Sequence, residues 1–128
     1  MIGIIKERIW NIIKDKEVSL VMFYDNTGEI LWHRGRKIYG RNVNSGSGFF
    51  RKIILETLNT RKKLLKKDLM LDLTHEGISK SPEFIQVTNL MIIPILDRYY
   101  LYVDTTSQGY FKKEDLSLFE NLGSLLGD

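Results

Sequence analysis

The chain has 128 residues, 43% hydrophobic and 27% charged, with a formal net charge of +3. This is ordinary composition for one globular domain. Disordered and fibrous classes are excluded, and a chain of this length buries enough surface to fold without a disulfide or a structural metal. It contains no cysteine, which removes disulfide frameworks, thiol catalysis and thiolate-bound zinc or iron–sulfur clusters. No apolar run reaches the length of a membrane span, and Lys6, Glu7 and Arg8 interrupt the N-terminus too early for a signal-peptide core. A cytoplasmic protein that does not engage a membrane is expected. The basic residues Arg61-Lys62-Lys63 and Lys66-Lys67 lie between a predicted helix and strand, read as solvated, and accompany no nucleic-acid recognition motif.

In chain order, residues 2–16 predict a helix: Ile2, Ile5, Ile9 and Ile12 recur at helical spacing, with Ile4, Trp10 and Ile13 beside them. Val18 to Asp25 is a continuous apolar run rich in Val, Phe and Tyr, as in a strand buried on both faces. Asp25-Asn26-Thr27-Gly28 is turn chemistry, and Glu29 to Arg34 returns as the second strand of a hairpin. A polar connection through Ser47 precedes a helix ending near Thr60, with Phe50, Ile53, Ile54, Leu55 and Leu58 as its apolar positions. Asp68 to Leu73 predicts a short strand, and Thr74 to Gln86 a loop. Val87 to Leu96 and Tyr99 to Asp104 predict a tight hairpin, in which Pro94 favours an edge or a bulge. A last helix over 114–126 opens on Glu114 and Asp115, which suit its positive end. The fold class is therefore α+β, an antiparallel sheet with segregated helices, over a single domain spanning 1–128.

The motifs of catalysis are missing. His33 and His75 belong to different elements and do not make a metal pair, so neither a metal nor a cofactor is expected. No phosphate-binding G-x-x-x-x-G-K-[ST] loop and no G-x-S-x-G elbow occurs; Gly46-Ser47-Gly48 reads as a helix cap. The expectation is a protein that is not an enzyme.

Several short motifs together resemble the GAF domain. Tyr102-Val103-Asp104, then Gly109-Tyr110-Phe111, then Glu114-Asp115-Leu116 resembles that family's C-terminal signature, a strand reading L-Y-L-D, a loop, a Phe and a helix opening E-D-L. Asn89 to Ile95 is similar to the preceding strand, and Asp72 to the acid after the short middle strand. Ser45-Gly46-Ser47 with Leu55-Glu56-Thr57 resembles the family's S-x-S helix ending in L-E-T-G. Arg34-Gly35-Arg36 resembles the R-G-R turn of GAF domains attached to bacterial sigma-54 dependent activators. The chain departs from the pattern at Asn59-Thr60 and at Lys112, where the usual helix cap is missing, and its last hairpin is short. The cyclic-nucleotide residue set is not evident, and bilin attachment or cysteine-dependent sulfoxide reduction has no thiol to use.

The resemblance implies a sheet with helices from both termini packed on one face and a helix-and-loop roof over a small-molecule cavity on the other. It implies a regulatory sensor domain, the input module of a sigma-54 dependent activator with an attached or neighbouring ATPase; the alternative is a ligand-free interaction scaffold. For a ligand held against the loop 74–86, Arg34, His75 and Thr88 are the candidate polar anchors, with Phe84, Met91 and Tyr102 as contacts. A homodimer is expected through Ile2, Ile5, Ile9 and Ile12 and through Leu118, Leu122 and Leu125 of the terminal helices.

Overall fold

The computed structural model describes residues 2–14, 18–35, 38, 40–45, 48–66, 89–96 and 98–105, together with Glu114, Ser117 and Asn121. Helix α1 spans Ile2–Ile13 and α2 spans Gly48–Thr60; the strands are β1 Val18–Asp25, β2 Ile30–Gly35, β3 Leu64–Lys66, β4 Asn89–Ile95 and β5 Tyr99–Thr105. They form one antiparallel sheet in the order β2-β1-β5-β4-β3. The α+β class and the two hairpins follow the sequence reading. The expected strand at 68–73 and the loop 74–86 lie outside the described residues. Leu64–Lys66, read as the approach to a strand, is itself one, because its backbone pairs with Leu90, Met91 and Ile92.

Alternation along the strands builds two cores from one sheet. Leu20, Met22 and Tyr24 of β1, Leu90 and Ile92 of β4, and Tyr100 and Tyr102 of β5 face α2, which adds Ile53 and Ile54. Val21, Phe23, Met91, Ile93, Ile95, Leu101 and Val103 face the other way, where α1 adds Ile9 and Ile13. Both faces are covered, so β1 reads as a continuous apolar run. Ile9 and Ile13 are one helical turn apart and both buried; each contributes about 1.5–3 kcal/mol by leaving water. Glu114 and Ser117 have helical backbone, and the Asn121 N–H donates to the Ser117 carbonyl at 3.0 Å.

Turn chemistry holds the hairpins in register. Asp25 Oδ1 accepts from the Thr27 N–H at 2.9 Å, the Thr27 hydroxyl at 2.6 Å and the Glu29 N–H at 3.0 Å, a local network that closes the β1–β2 turn. The Asn26 N–H donates to the Arg98 carbonyl at 2.9 Å, which ties this turn to the β4–β5 turn. Pro94 sits where its missing N–H does no harm: β3 pairs with β4 only as far as Ile92, so the far end of β4 lies outside that ladder.

Two positions decide how the chain turns. Gly35, at φ +113°, ends β2, and a Cβ there would stand 2.2 Å from the Ser19 carbonyl oxygen. Leu96, at φ +58° and exposed, occupies the left-handed region that disfavours a branched side chain. Gly35→Ala is expected to lose more than about 1 kcal/mol. Leu96→Gly is expected to gain about 0.5–1 kcal/mol, the relief of left-handed strain less the entropy of the new glycine. Urea denaturation of both variants measures the two signs.

Candidate functional site

The face under α2 carries an unusual concentration of buried hydroxyls. Tyr24, Tyr100 and Tyr102 are all essentially inaccessible, and Thr57 of α2 and Asp104 of β5 are buried with them. Strand pairing brings Tyr24 opposite Tyr100, with the rings stacked 5.5 Å apart at 11°. Tyr102 lies one step further along the same face of β5, and its hydroxyl donates to Asp104 Oδ2 at 2.5 Å, a short bond. Thr57 follows Ile53 and Ile54 on the inner face of α2 and returns its hydroxyl proton to the Ile54 carbonyl at 2.7 Å.

Tyr24 is the exception. Its hydroxyl oxygen is buried and has no hydrogen-bond partner. Burial pushes its pKa well above the usual tyrosine value; the Thr57 side chain offsets some of that rise, and Tyr100 adds to it. Thr57 is therefore a neighbour of the hydroxyl but lies outside hydrogen-bond geometry. A buried donor left unpaired costs about 1–3 kcal/mol. The face thus presents a neutral O–H donor with no acceptor opposite Tyr100 and, further along the same strands, an acid that accepts from a second tyrosine.

The expected ligand contacts do not meet in one place. Tyr102 faces α2, but Met91 is buried in the cluster under α1, so the thickness of the sheet separates them. Arg34 is exposed on β2, paired with Val21 of the α1 face, and its guanidinium lies 3.7 Å over the Trp10 ring. It cannot anchor a ligand under α2. His75, Phe84 and Thr88 lie outside the described residues, and His33 is exposed. Of the expected dimer residues, Ile9 is fully covered by its own sheet and Ile12 packs half-buried beside it. Ile9 therefore has no surface left to offer a partner. The side chains of Ile2, Ile5, Leu118, Leu122 and Leu125 lie outside the description; on α1, Ile4 and Trp10 are the large apolar side chains that remain exposed.

The sequence reading did not name Tyr24, Thr57 or Asp104 as site residues, although the last two stand in the family-like motifs. The available signals were a hydroxyl at an inward helical position, one turn after Ile53, and an acid closing the apolar run of β5. No cluster of three or more potential metal ligands occurs among the described residues, and no described helix is long and apolar enough to cross a membrane.

This architecture is the GAF-like fold. A type II free methionine-R-sulfoxide reductase from Thermoplasma acidophilum shares it at 15% identity and a TM-score of 0.67, over 96% of this chain and 86% of that one. The GAF domain of a two-component sensor histidine kinase from Bacillus halodurans matches at 14% identity and a TM-score of 0.63, over 94% and 89%. A GAF domain/HD domain protein from Geobacter sulfurreducens matches at 12% identity and 0.63, over 96% and 86%. No protein-family model and no curated protein matches the chain. The first similarity corrects the expectation of a non-enzyme: a protein of this fold is a reductase, so neither the fold nor the lack of familiar motifs excludes catalysis.

Tyr24→Phe removes the unpaired hydroxyl without opening a cavity, and the free domain is expected to gain about 1 kcal/mol. The pH dependence has a definite sign. Above about pH 10 an unfolded tyrosine loses its proton whereas buried Tyr24 keeps it, so the folded state loses stability as pH rises. Chemical denaturation at neutral and alkaline pH should show a shallower alkaline decline in Tyr24→Phe than in the unmodified chain.

Proposed function

We propose that this domain is a regulatory sensor whose small-molecule effector occupies the face between the sheet and α2. The unpaired Tyr24 hydroxyl carries this reading. Folding leaves one donor without an acceptor among apolar walls, and an effector with an acceptor atom removes that cost on binding. Tyr102 and Asp104 supply a second, hydrogen-bonded polar group on the same face. The GAF domain of a two-component sensor histidine kinase among the structures of similar fold supports a regulatory role.

The finer proposal is an input module of a bacterial sigma-54 dependent activator, supported by Arg34-Gly35-Arg36. The Gly35 geometry gives that turn a physical reason, since no other residue clears the Ser19 carbonyl there. A homodimer would then form through the exposed side of α1, around Ile4, because the Ile9 side is already covered.

Native mass spectrometry of the domain purified from its source cells tests the reading. A retained small molecule is expected in the unmodified chain, and its occupancy should drop in Tyr24→Phe although that variant is the more stable protein. A chain that carries no extra mass, with Tyr24→Phe less stable than the parent, would show instead that the hydroxyl serves the core.

A further inference from the structure

A concavity lies on the opposite side of the sheet, at the C-terminal end of α1. It is a cleft of about 220 Å³ between that helix and strands β1 and β2. Ile13, Val18 and Val21 make an aliphatic floor, Trp10 and Arg34 form one wall, and Lys14 stands at the rim. None of the seven lining residues is acidic. The indole holds the Arg34 guanidinium against its face at 3.7 Å. Stacking of this kind fixes the plane of the guanidinium and leaves its in-plane N–H fork free for a planar acceptor. Among the described residues, no ion pair is formed by Arg34 or Lys14. The negative end of the α1 dipole, about half a charge, is outweighed by the two full cations.

We propose that this cleft is a binding site for a small organic carboxylate. The carboxylate takes the Arg34 fork and the Lys14 ammonium, and an apolar body rests on Ile13, Val18 and Val21. The charges alone would accept any anion, but the dry floor selects one with a hydrocarbon portion. The volume lies below the roughly 300–1,000 Å³ of pockets for drug-sized ligands, which restricts that body to a single small ring or branched chain. The site is independent of the face under α2: the sheet lies between them, and its ligand touches none of the buried tyrosines.

Benzoate is a suitable probe, followed through the Trp10 indole N–H in NMR, with benzyl alcohol and inorganic phosphate as controls. Saturable shifts are expected with benzoate and not with either control at equal concentration. Arg34→Gln should weaken binding at least about tenfold, as loss of a bidentate charged contact does. Lys14→Gln should weaken it less, and Tyr24→Phe should leave it unchanged. Both basic side chains are exposed, so these variants keep the fold. The proposal is overturned if benzoate gives no saturable shift or if Arg34→Gln binds it as well as the parent. Equal binding of benzyl alcohol, or of phosphate, would overturn it too.

Discussion

The domain depends on the pairing of β1 with β5. Each terminal half contributes a hairpin that forms locally, and an isolated hairpin is marginal in water. The ladder from Leu20 against Asp104 to Asp25 against Tyr99 joins them into one sheet. Its partners come from opposite ends of the chain, so the entropy of closing a long loop opposes it until side-chain burial compensates. Leu20 to Tyr24 and Tyr100 to Asp104 are all buried, which is that compensation. The pairing also determines which residue faces which way. A slip of one residue would turn the Tyr24 hydroxyl toward α1 and expel Phe23 from its stack with Tyr99, 5.1 Å away.

From this constraint follow two faces of different chemistry. Under α1 the core is apolar, mostly aliphatic with Phe23 among it, and Trp10 and Arg34 stack at its edge. Under α2 the same strands present three tyrosines and an acid. Hydrophobic burial alone would favour Phe over Tyr at Tyr24, since an unpaired buried hydroxyl is a net cost. Retaining that hydroxyl without an acceptor is therefore the feature that sets the second face apart from ordinary packing.

The elements were legible in the sequence where composition and punctuation agreed. Val18 to Asp25 and Tyr99 to Asp104 are β-branched and aromatic runs bounded by turn residues, and both are strands. The resemblance carried by the C-terminal motifs pointed to the fold that the solved structures share. β3 was not legible, because Leu64–Lys66 is only three residues set among the basic pairs and is a strand only through its pairing with β4. The face of each side chain was not legible either. When both faces of a sheet are apolar, alternation leaves no polar mark, and Met91 and Tyr102 looked like neighbours although the sheet divides them. Thr57 was hidden in an apolar stripe, and Tyr24 looked like core. Inferring the absence of catalysis from missing motifs failed for a related reason: a motif search sees only chemistry already described by spacing in one chain, and a reductase of this fold shows that the scaffold admits more.

The central claim is that the face under α2, with its buried tyrosines, receives the effector that the domain senses. NMR of the domain with ¹³C-labelled tyrosine rings tests it most directly, because the tyrosines report both sides. Tyr24, Tyr100 and Tyr102 lie under α2, and Tyr99 packs at the edge of the α1 cluster. Adding the small-molecule fraction of the source cells should shift the rings of Tyr24, Tyr100 and Tyr102 and leave Tyr99 in place. If the three buried rings stay still, or if Tyr99 alone moves, the face under α2 is a closed core and the account is wrong.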